Sequence, residues 1–210
     1  MSISVFLADD HALLRDGLRA LLEMHADITV VGTASDGREA VREVLRLKPQ
    51  VVLMDIAMPD LNGIDATQKI VERCPDSRVV VLSMHATAEH YHQVQRAGAW
   101  GYLLKESAGA KAVEAVRAVA AGRRYFSRSL TEAFDHEQRA TSPLESLSGR
   151  EREILQLVVE GHTSMEIAGI ISVSPKTVET YRSRLMQKLK VSDIPALVKF
   201  AIQHGITPLK

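Results

Sequence analysis

The sequence predicts two domains: an α/β domain with a doubly wound, five-stranded parallel sheet, and an all-α domain of four helices behind it. Three observations support this prediction. Five short apolar runs alternate with amphipathic segments in the first part of the chain, the last part carries helical periodicity alone, and a polar stretch separates the two. We therefore divide the chain into residues 1–121, a linker at 122–143 and residues 144–210.

The apolar runs have the composition of strands that are buried on both faces, because they are short and rich in β-branched residues. They are Val5–Ala8, Ile28–Val31, Val51–Met54, Val79–Leu82 and Trp100–Leu104. Leucines and small apolar residues recur at helical spacing between them, as at Leu14, Leu18 and Leu22. Strands that alternate with helices predict a parallel sheet with helices on both faces.

Polar side chains follow four of these five runs. Asp9 and Asp10 follow the first, Asp55 the third, Ser83 the fourth and Lys105 the fifth. Each of them alone could simply cap the next helix. Together they fall at the carboxyl ends of the strands, where this fold class binds ligands. Clustered carboxylates need a cation, and oxygen ligands suit Mg²⁺. A carboxylate held there can attack a phosphoryl group, whose oxygens a Lys and a Ser would contact.

Other phosphate-handling classes fit the sequence poorly. No G-x-G-x-x-G motif is present, and Gly32–Gly37 has the glycine spacing of a Walker A loop but is followed by Arg38-Glu39 instead of Lys and Ser/Thr. A hydrolase with an Asp nucleophile, of the haloacid-dehalogenase type, would carry a second Asp two residues after Asp55. Ala57 occupies that position, so the sequence lacks the proton shuttle of a turnover enzyme.

Composition excludes several further classes. One cysteine, Cys74, excludes a disulfide framework and a zinc site built from cysteines. No apolar stretch approaches the roughly 20 residues of a membrane helix, and the N-terminus lacks the positive region of a secretory signal, so we expect no membrane association and a cytoplasmic location. Residues 1–121 hold 13 basic and 16 acidic residues, whereas residues 144–210 hold nine and seven. This asymmetry suggests domains with different partners.

Residues 1–121 resemble a two-component receiver domain, which has a flavodoxin-like fold. Asp9-Asp10, the segment Asp55–Gly63, Ser83 and Gly101–Lys105 carry the resemblance. It implies that a sensor histidine kinase phosphorylates Asp55, and that the only enzymatic activity is self-phosphorylation and self-dephosphorylation of that residue. The implied Mg²⁺ ligands are Asp9, Asp10, Asp55 and the carbonyl of Ala57. The residues implied to contact the phosphoryl group or to switch with it are Ser83, Tyr102 and Lys105.

The last 67 residues predict a helix-turn-helix. Ser148 and Thr163 are placed to cap two helices, and Ser174-Pro175 begins a third, which runs to about residue 190. That segment, 174–190, holds five basic residues against Glu179 alone, a net charge of +4. A fourth helix is expected near 194–204. Two short helices joined by a tight turn, the second of them basic, are typical of this motif. A helical bundle with a solvated basic face is the alternative.

The same residues resemble the LuxR-type DNA-binding domain. The resemblance rests on Leu147–Glu153, Gly161, Glu166–Ala168, Val173-Ser174, Thr177-Val178 and Lys188-Leu189. A receiver joined to this domain is the NarL/FixJ arrangement of response regulators. The resemblance implies that Glu179, Thr180 and Ser183 face base edges. The other implied DNA contacts, mostly to phosphates, are Thr163, Ser164, Lys176, Thr177, Arg182, Arg184 and Lys188.

These observations predict a phosphorylation-activated transcriptional regulator that binds operator DNA as a dimer. Its expected partners are a sensor histidine kinase, double-stranded DNA and a second copy of the chain, with RNA polymerase as a further candidate. One alternative is a phosphorylation-independent DNA-binding regulator with a receiver-like dimerisation domain. Another, a stand-alone phosphotransfer intermediate, is disfavoured because the basic helix-turn-helix would have no role in it.

Overall fold

The computed structural model describes residues 2–84, 87–126, 143–204 and 206, with Glu145 described by its backbone alone. The chain divides into two compact units, residues 1–139 and 140–210. Most of the predicted linker, residues 127–142, lies outside the described residues, so the predicted domain boundaries stay a prediction.

The first unit contains a parallel sheet with the order β2-β1-β3-β4-β5-β6. All five strand pairs in it are parallel. The reversal of strand order beside β1 is the topological switch point of a doubly wound fold, which confirms the predicted fold class. The strands are β1 (Ile3–Ala8), β2 (Ile28–Ala34), β3 (Val51–Asp55), β4 (Arg78–Ser83), β5 (Gly101–Leu104) and β6 (Tyr125–Phe126).

Five helices cover the two faces of this sheet, and several begin with side-chain caps. Asp36, Asn62 and Thr87 each accept a hydrogen bond from the backbone N–H three residues later, as N-caps do. The helices are α1 (Ala12–Glu23), α2 (Gly37–Leu47), α3 (Gly63–Arg73), α4 (Ala88–Arg96) and α5 (Lys105–Ala120).

The sheet separates two hydrophobic layers. Val5 and Leu7 of β1 face the layer shared with α1 and α5, whereas Phe6 and Ala8 face the layer shared with α2, α3 and α4. All four residues are at most 1% exposed. The strand is therefore buried on both faces, which is why its sequence shows a continuous apolar run instead of alternation.

The sheet has one more strand than predicted. Strand β6 pairs with β5 in the register Gly101↔Tyr125 and Tyr102↔Phe126, and lies inside the segment predicted as linker. Gly122 turns the chain back after α5 with a φ of 80°, a conformation that glycine adopts without strain. A two-residue strand between polar residues leaves no apolar run in the sequence, so periodicity could not predict it.

The second unit is all-helical, as predicted. Capping boxes at Ser148 with Glu151 and at Thr163 with Glu166 begin two of its helices. Between the second and third helices Ser172 adopts a left-handed conformation with a φ of 55°, which makes the tight turn. After a 3₁₀ helix at Pro143–Ser146, the helices are α6 (Gly149–Val159), α7 (Ser164–Ile171), α8 (Pro175–Leu189) and α9 (Ile194–Gln203).

The core of this unit is formed by the predicted apolar stripe of α8 and by its neighbours. Val178 and Leu185 are fully buried, and Tyr181 and Leu189 pack at the edge of the same cluster. Among the described residues, no helix in either unit combines the length and apolarity that crossing a bilayer requires.

Candidate phosphoacceptor pocket and nucleic-acid interface

The sheet order brings the predicted pocket residues together. Strands β1 and β3 are neighbours, so Asp9, directly after β1, lies beside Asp55 at the end of β3. Ser83 ends the next strand, β4. Lys105 is the first residue of α5, directly after β5. The pocket therefore forms at the carboxyl edge of the sheet, where the sequence predicts it.

Lys105 links the two buried carboxylates. Its Nζ lies 2.9 Å from Asp9 Oδ2 and 2.8 Å from Asp55 Oδ2, and none of the three side chains is more than 4% exposed. One ammonium group thus lies between two carboxylates in a site from which water is nearly excluded. A carboxylate in such a site keeps little of its hydration, so its charge depends on its protein partners.

The surroundings of Asp55 favour its neutral form. Burial and the charge of Asp9 raise the pKa of Asp55, whereas Lys105 lowers it. The net effect is a pKa of about 6. The backbone N–H of Ala57 donates to Asp55 Oδ1 at 3.3 Å. Burial lowers the pKa of Lys105, but Asp55 and Asp9 raise it more, so the ammonium stays charged. A cation beside Asp55 would stabilise its ionised, nucleophilic form.

The residues of this pocket fit a divalent cation. One ligand atom each from Asp9, Asp10, Asp55 and His11 lies within 4.8 Å of the other three. Three of these are carboxylate oxygens, the ligands that Mg²⁺ prefers. The role of the Ala57 carbonyl as a ligand stays a prediction.

His11 is a pocket residue that sequence reasoning missed. Its Nδ1 lies 2.7 Å from Asp10 Oδ1, and its backbone N–H donates to Asp9 Oδ1 at 2.8 Å. The available signal was its position directly after Asp9-Asp10. A lone histidine after two carboxylates does not by itself predict a pocket residue, but in the structure His11 contacts both and can orient them.

Tyr102 connects the pocket to an aromatic cluster. The Tyr102 side chain is 1% exposed and hydrogen-bonds with the side chain of Ser83, while burial raises its pKa. Its ring meets Tyr91 edge-on at a centroid distance of 6.5 Å, and Tyr91 meets Phe126 of β6 at 5.8 Å. These edge-to-face contacts are a stable arrangement of aromatic rings.

The predicted DNA contacts of α8 occupy its solvent-facing side. Lys176, Thr180, Ser183 and Arg184 are exposed, and the Thr180 hydroxyl donates to the Lys176 carbonyl at 3.0 Å. Thr177 is half-buried at the helix start, where its N–H donates to Ser174 Oγ. The exposed side of the helix therefore carries two hydroxyl groups, of Thr180 and Ser183, together with the cations of Lys176 and Arg184.

Two predicted DNA contacts lie at the start of α7. The Thr163 hydroxyl caps this helix and donates to Glu166 at 2.8 Å. The Ser164 hydroxyl donates to Glu179 and accepts from Arg182 at 2.8 Å, so it joins α7 to α8.

Lys188 lies apart from the other predicted contacts. Its Nζ donates to Glu151 Oε2 at 2.7 Å and to the Ser146 carbonyl at 3.1 Å. Glu151 is 4% exposed and belongs to the capping box of α6. This ammonium therefore balances a buried carboxylate, and its predicted contact with DNA stays a prediction.

Family models match both compact units of the chain. The family model "Response regulator receiver domain" matches residues 5–117, and "Bacterial regulatory proteins, luxR family" matches residues 145–201. The chain belongs to the response regulators of the NarL/FixJ type. As a response regulator with a LuxR-type DNA-binding domain, it is a transcriptional regulator.

Individual relatives match this response regulator over nearly its full length. The transcriptional regulatory protein MctR of Rhizobium johnstonii is 42% identical over 97% of this chain and 95% of its own. The oxygen regulatory protein NreC of Staphylococcus carnosus is 39% identical over 97% of this chain and 99% of its own. RcsB from Salmonella enterica serovar Typhimurium, solved bound to promoter P1flhDC with the phosphomimetic BeF₃⁻, is 27% identical with a TM-score of 0.65, covering 95% of this chain and 98% of its own.

Proposed function

We propose that this response regulator is switched on by phosphorylation of Asp55 and then binds operator DNA as a dimer through α8. The observation that carries the proposal is the buried arrangement of Asp55, Asp9 and Lys105 on the same chain as a basic helix-turn-helix. The implied partners are a sensor histidine kinase, operator DNA and a second copy, with RNA polymerase at the promoter. Such a regulator works in the cytoplasm, where the chromosome is.

The pocket residues have distinct roles in this proposal. An Asp55 oxygen attacks the phosphorus atom of a kinase phosphohistidine; the new O–P bond forms as the P–N bond breaks, and the imidazole leaves. Lys105, at 2.8 Å from Asp55, compensates charge on the transferred oxygens. Ser83 exchanges its hydrogen bond with Tyr102 for one to the phosphoryl group. Bound Mg²⁺, held by Asp9, Asp10 and Asp55, would supply charge neutralisation of the phosphoryl oxygens.

DNA binding by this chain is supported by RcsB, a relative of known structure. RcsB has been solved on promoter DNA with a phosphomimetic, and also as two dimers bound to two parallel DNAs. The exposed hydroxyl groups of Thr180 and Ser183 are suited to base edges, and the cations of Lys176 and Arg184 on the same exposed side are suited to phosphates.

Phosphorylation is tested by mass spectrometry after incubation with a small phosphodonor. We expect one added phosphoryl group with Mg²⁺ and none with a chelator. Asp55→Asn should abolish the shift, whereas Asp76→Asn, on an exposed turn, should not change it. A shift that survives Asp55→Asn would refute the assignment of the phosphoacceptor.

The link to DNA is tested with the same proteins. Operator fragments selected from random oligonucleotides should bind the phosphorylated wild type more tightly than Asp55→Asn. Equal binding by both would favour the alternative, a phosphorylation-independent regulator that uses its receiver for dimerisation.

A further inference from the structure

Glu179 lies within a small polar network that joins the two helices of the helix-turn-helix. Arg182, one turn further along α8, donates from Nη1 to Glu179 Oε1 at 3.2 Å. The same Nη1 donates to Ser164 Oγ on α7 at 2.8 Å. The Ser164 hydroxyl in turn donates to Glu179 Oε1. Two side chains, Ser164 of α7 and Glu179 of α8, therefore fix one guanidinium nitrogen of Arg182.

The remaining part of the Arg182 guanidinium is left available. Every contact that the structure gives to this group from the described residues is made by Nη1. Nε and Nη2 form the opposite edge, and their parallel N–H groups match two oxygens of a phosphate. The side chain is 27% exposed, against 59% for Glu179. Arg182 thus lies partly against the protein, and no hydrogen bond from the part of the chain that the structure describes occupies its Nε–Nη2 edge.

We infer that Glu179 and Ser164 are positioning residues, which orient Arg182 for a bidentate contact with a DNA phosphate. Glu179 would then act on DNA through Arg182, and not on a base edge as the sequence predicted. Base reading is left to Thr180 and Ser183. The inference rests on the proposed function, since it requires that α8 binds DNA.

The negative charge of Glu179 affects DNA affinity in two opposite ways. A carboxylate near DNA repels phosphates, so its removal by itself should strengthen binding. Removal of a positioning contact should weaken binding. Without that contact the Arg182 side chain is free to change rotamer in the unbound protein, and it must give up this freedom when it contacts the phosphate. In the presence of Arg182 we expect the positioning effect to dominate. Without Arg182 only the repulsion is left, so the effect of the same substitution should change sign.

The experiment is a double-mutant cycle on the full chain with beryllofluoride. Wild type, Glu179→Ala, Arg182→Ala and the double variant are titrated with operator and with random DNA at several salt concentrations. Glu179→Ala should weaken binding to both DNAs by roughly 3- to 10-fold and lower the salt slope by up to about one. In the Arg182→Ala background it should strengthen binding to both.

Two further variants test the contact of Ser164 and provide a control. Ser164→Ala, which changes no charge, should weaken binding in the same direction as Glu179→Ala. Gln203→Ala, at an exposed position at the end of α9, should leave binding unchanged. Thermal unfolding of each variant checks that the domain is intact.

Each other outcome has a definite meaning. If Glu179→Ala alters the preferred base at one half-site position and leaves the salt slope unchanged, Glu179 reads a base and the inference is wrong. Equal effects of Glu179→Ala with and without Arg182, or no effect at all, also overturn it. If the wild type itself fails to prefer operator over random DNA, the proposed function fails instead.

Discussion

At the scale of single residues, Lys105 determines the charge balance of the candidate phosphoacceptor pocket. Its ammonium lies within 3 Å of carboxylate oxygens from both Asp9 and Asp55. Removal of one partner from a buried ion pair is strongly destabilising, because the other charge is left without compensation. Lys105 therefore has a structural role in the unphosphorylated protein in addition to its proposed contact with the phosphoryl group.

We expect Lys105→Met to lower the free energy of unfolding by about 3 kcal/mol in the presence of a chelator. Mg²⁺ should restore part of this loss, since a cation that binds only the folded state stabilises it. Urea unfolding with and without Mg²⁺ measures both effects. Lys111→Met, at an exposed position on the same helix, should change stability by less than about 0.5 kcal/mol. Similar losses in the two variants would contradict the prediction.

Lys188 leads to a second prediction at this scale. Because its ammonium compensates the buried carboxylate of Glu151, Lys188→Met should destabilise the helix-turn-helix domain by about 1–3 kcal/mol. Amide hydrogen exchange in α6 and α8 should accelerate, while the salt slope of DNA binding should change little. Lys199→Met, exposed on α9, is the control. A lower salt slope with unchanged exchange would show that Lys188 contacts DNA instead.

The ion pair of Lys188 and Glu151 also predicts that the stability of the helix-turn-helix domain depends on pH. Burial raises the pKa of Glu151, but hydrogen bonds from Lys188 and Ser148 outweigh burial and leave this pKa below its ordinary value of 4.5. An acid with a lowered pKa in the folded state contributes stability that is complete above its ordinary pKa and lost as the pH falls through the folded pKa. The stability difference between wild type and Lys188→Met, measured by urea unfolding at pH 7 and below pH 4, should therefore shrink at acid pH.

At the scale of elements, the close contact between β3 and α3 fixes the loop that joins Asp55 to Gly63. A Cβ atom on Gly63 would lie 1.8 Å from the Asp55 carbonyl oxygen, and the Gly63 N–H donates to the Ile56 carbonyl at 2.8 Å. The start of α3 therefore packs directly on the end of β3. This close approach holds the backbone of Asp55 in place, and only glycine permits it.

Gly63→Ala should consequently destabilise the receiver by about 3 kcal/mol or more, because the backbone must move to relieve the overlap. Gly109→Ala is the matched control, since Gly109 lies within α5 and a Cβ there meets nothing within 4 Å. It should stabilise the receiver by about 0.5–1 kcal/mol through helix propensity. Thermal unfolding of both variants provides the measurement. A mild effect of Gly63→Ala would mean that the loop is more adaptable than the structure indicates.

The helix-turn-helix allows phosphate and base contacts to be separated by mutation. Lys176→Ala should weaken binding to all DNA sequences alike and lower the salt slope by about one. Thr180→Ala should instead change the base preferred at one position per half-site by about 1–3 kcal/mol. Titrations of operator and random DNA at several salt concentrations distinguish the two. If Lys176→Ala shifts base preference and Thr180→Ala does not, the assigned helix faces are wrong.

At the scale of the whole molecule, phosphorylation is expected to be converted into dimerisation. The modification adds about −1.5 to −2 charges at the end of β3. Ser83 on the neighbouring strand β4 and Tyr102 on β5, the strand beyond it, can respond to this charge. Residues 87–120, which form α4, β5 and α5, adjoin these two residues and are the expected dimer surface. A dimer would place two copies of α8 on a two-fold symmetric operator, which multiplies affinity and specificity.

Sedimentation of the full chain with beryllofluoride and Mg²⁺ should show a dimer, whereas Asp55→Ala should sediment as a monomer under the same conditions. Operators selected by the activated protein should contain two inverted half-sites. A wild type that stays monomeric while its DNA binding increases would contradict activation by dimerisation.

The fold class, the helix-turn-helix and the position of the acidic pocket of this response regulator could be predicted from the order of its amino acids. Buried parallel strands require continuous apolar runs, and their carboxyl ends must meet at one edge, so the placement of Asp9, Asp55 and Lys105 followed from the order of the elements. Caps such as Ser148 and Thr163 were predictable for a similar reason, since they act on their own backbone within three residues.

The partners of distant side chains, in contrast, could be learned from the three-dimensional structure alone. The pairing of Lys188 with Glu151 and the contact of Arg182 with Ser164 join helices through long, flexible side chains. Sequence periodicity predicts the helix face to which such a side chain is attached, but it does not predict the position of the charged group at the end of the side chain. The sixth strand was likewise decided by tertiary structure, because two residues carry no periodic pattern and pair only where β5 offers a free edge.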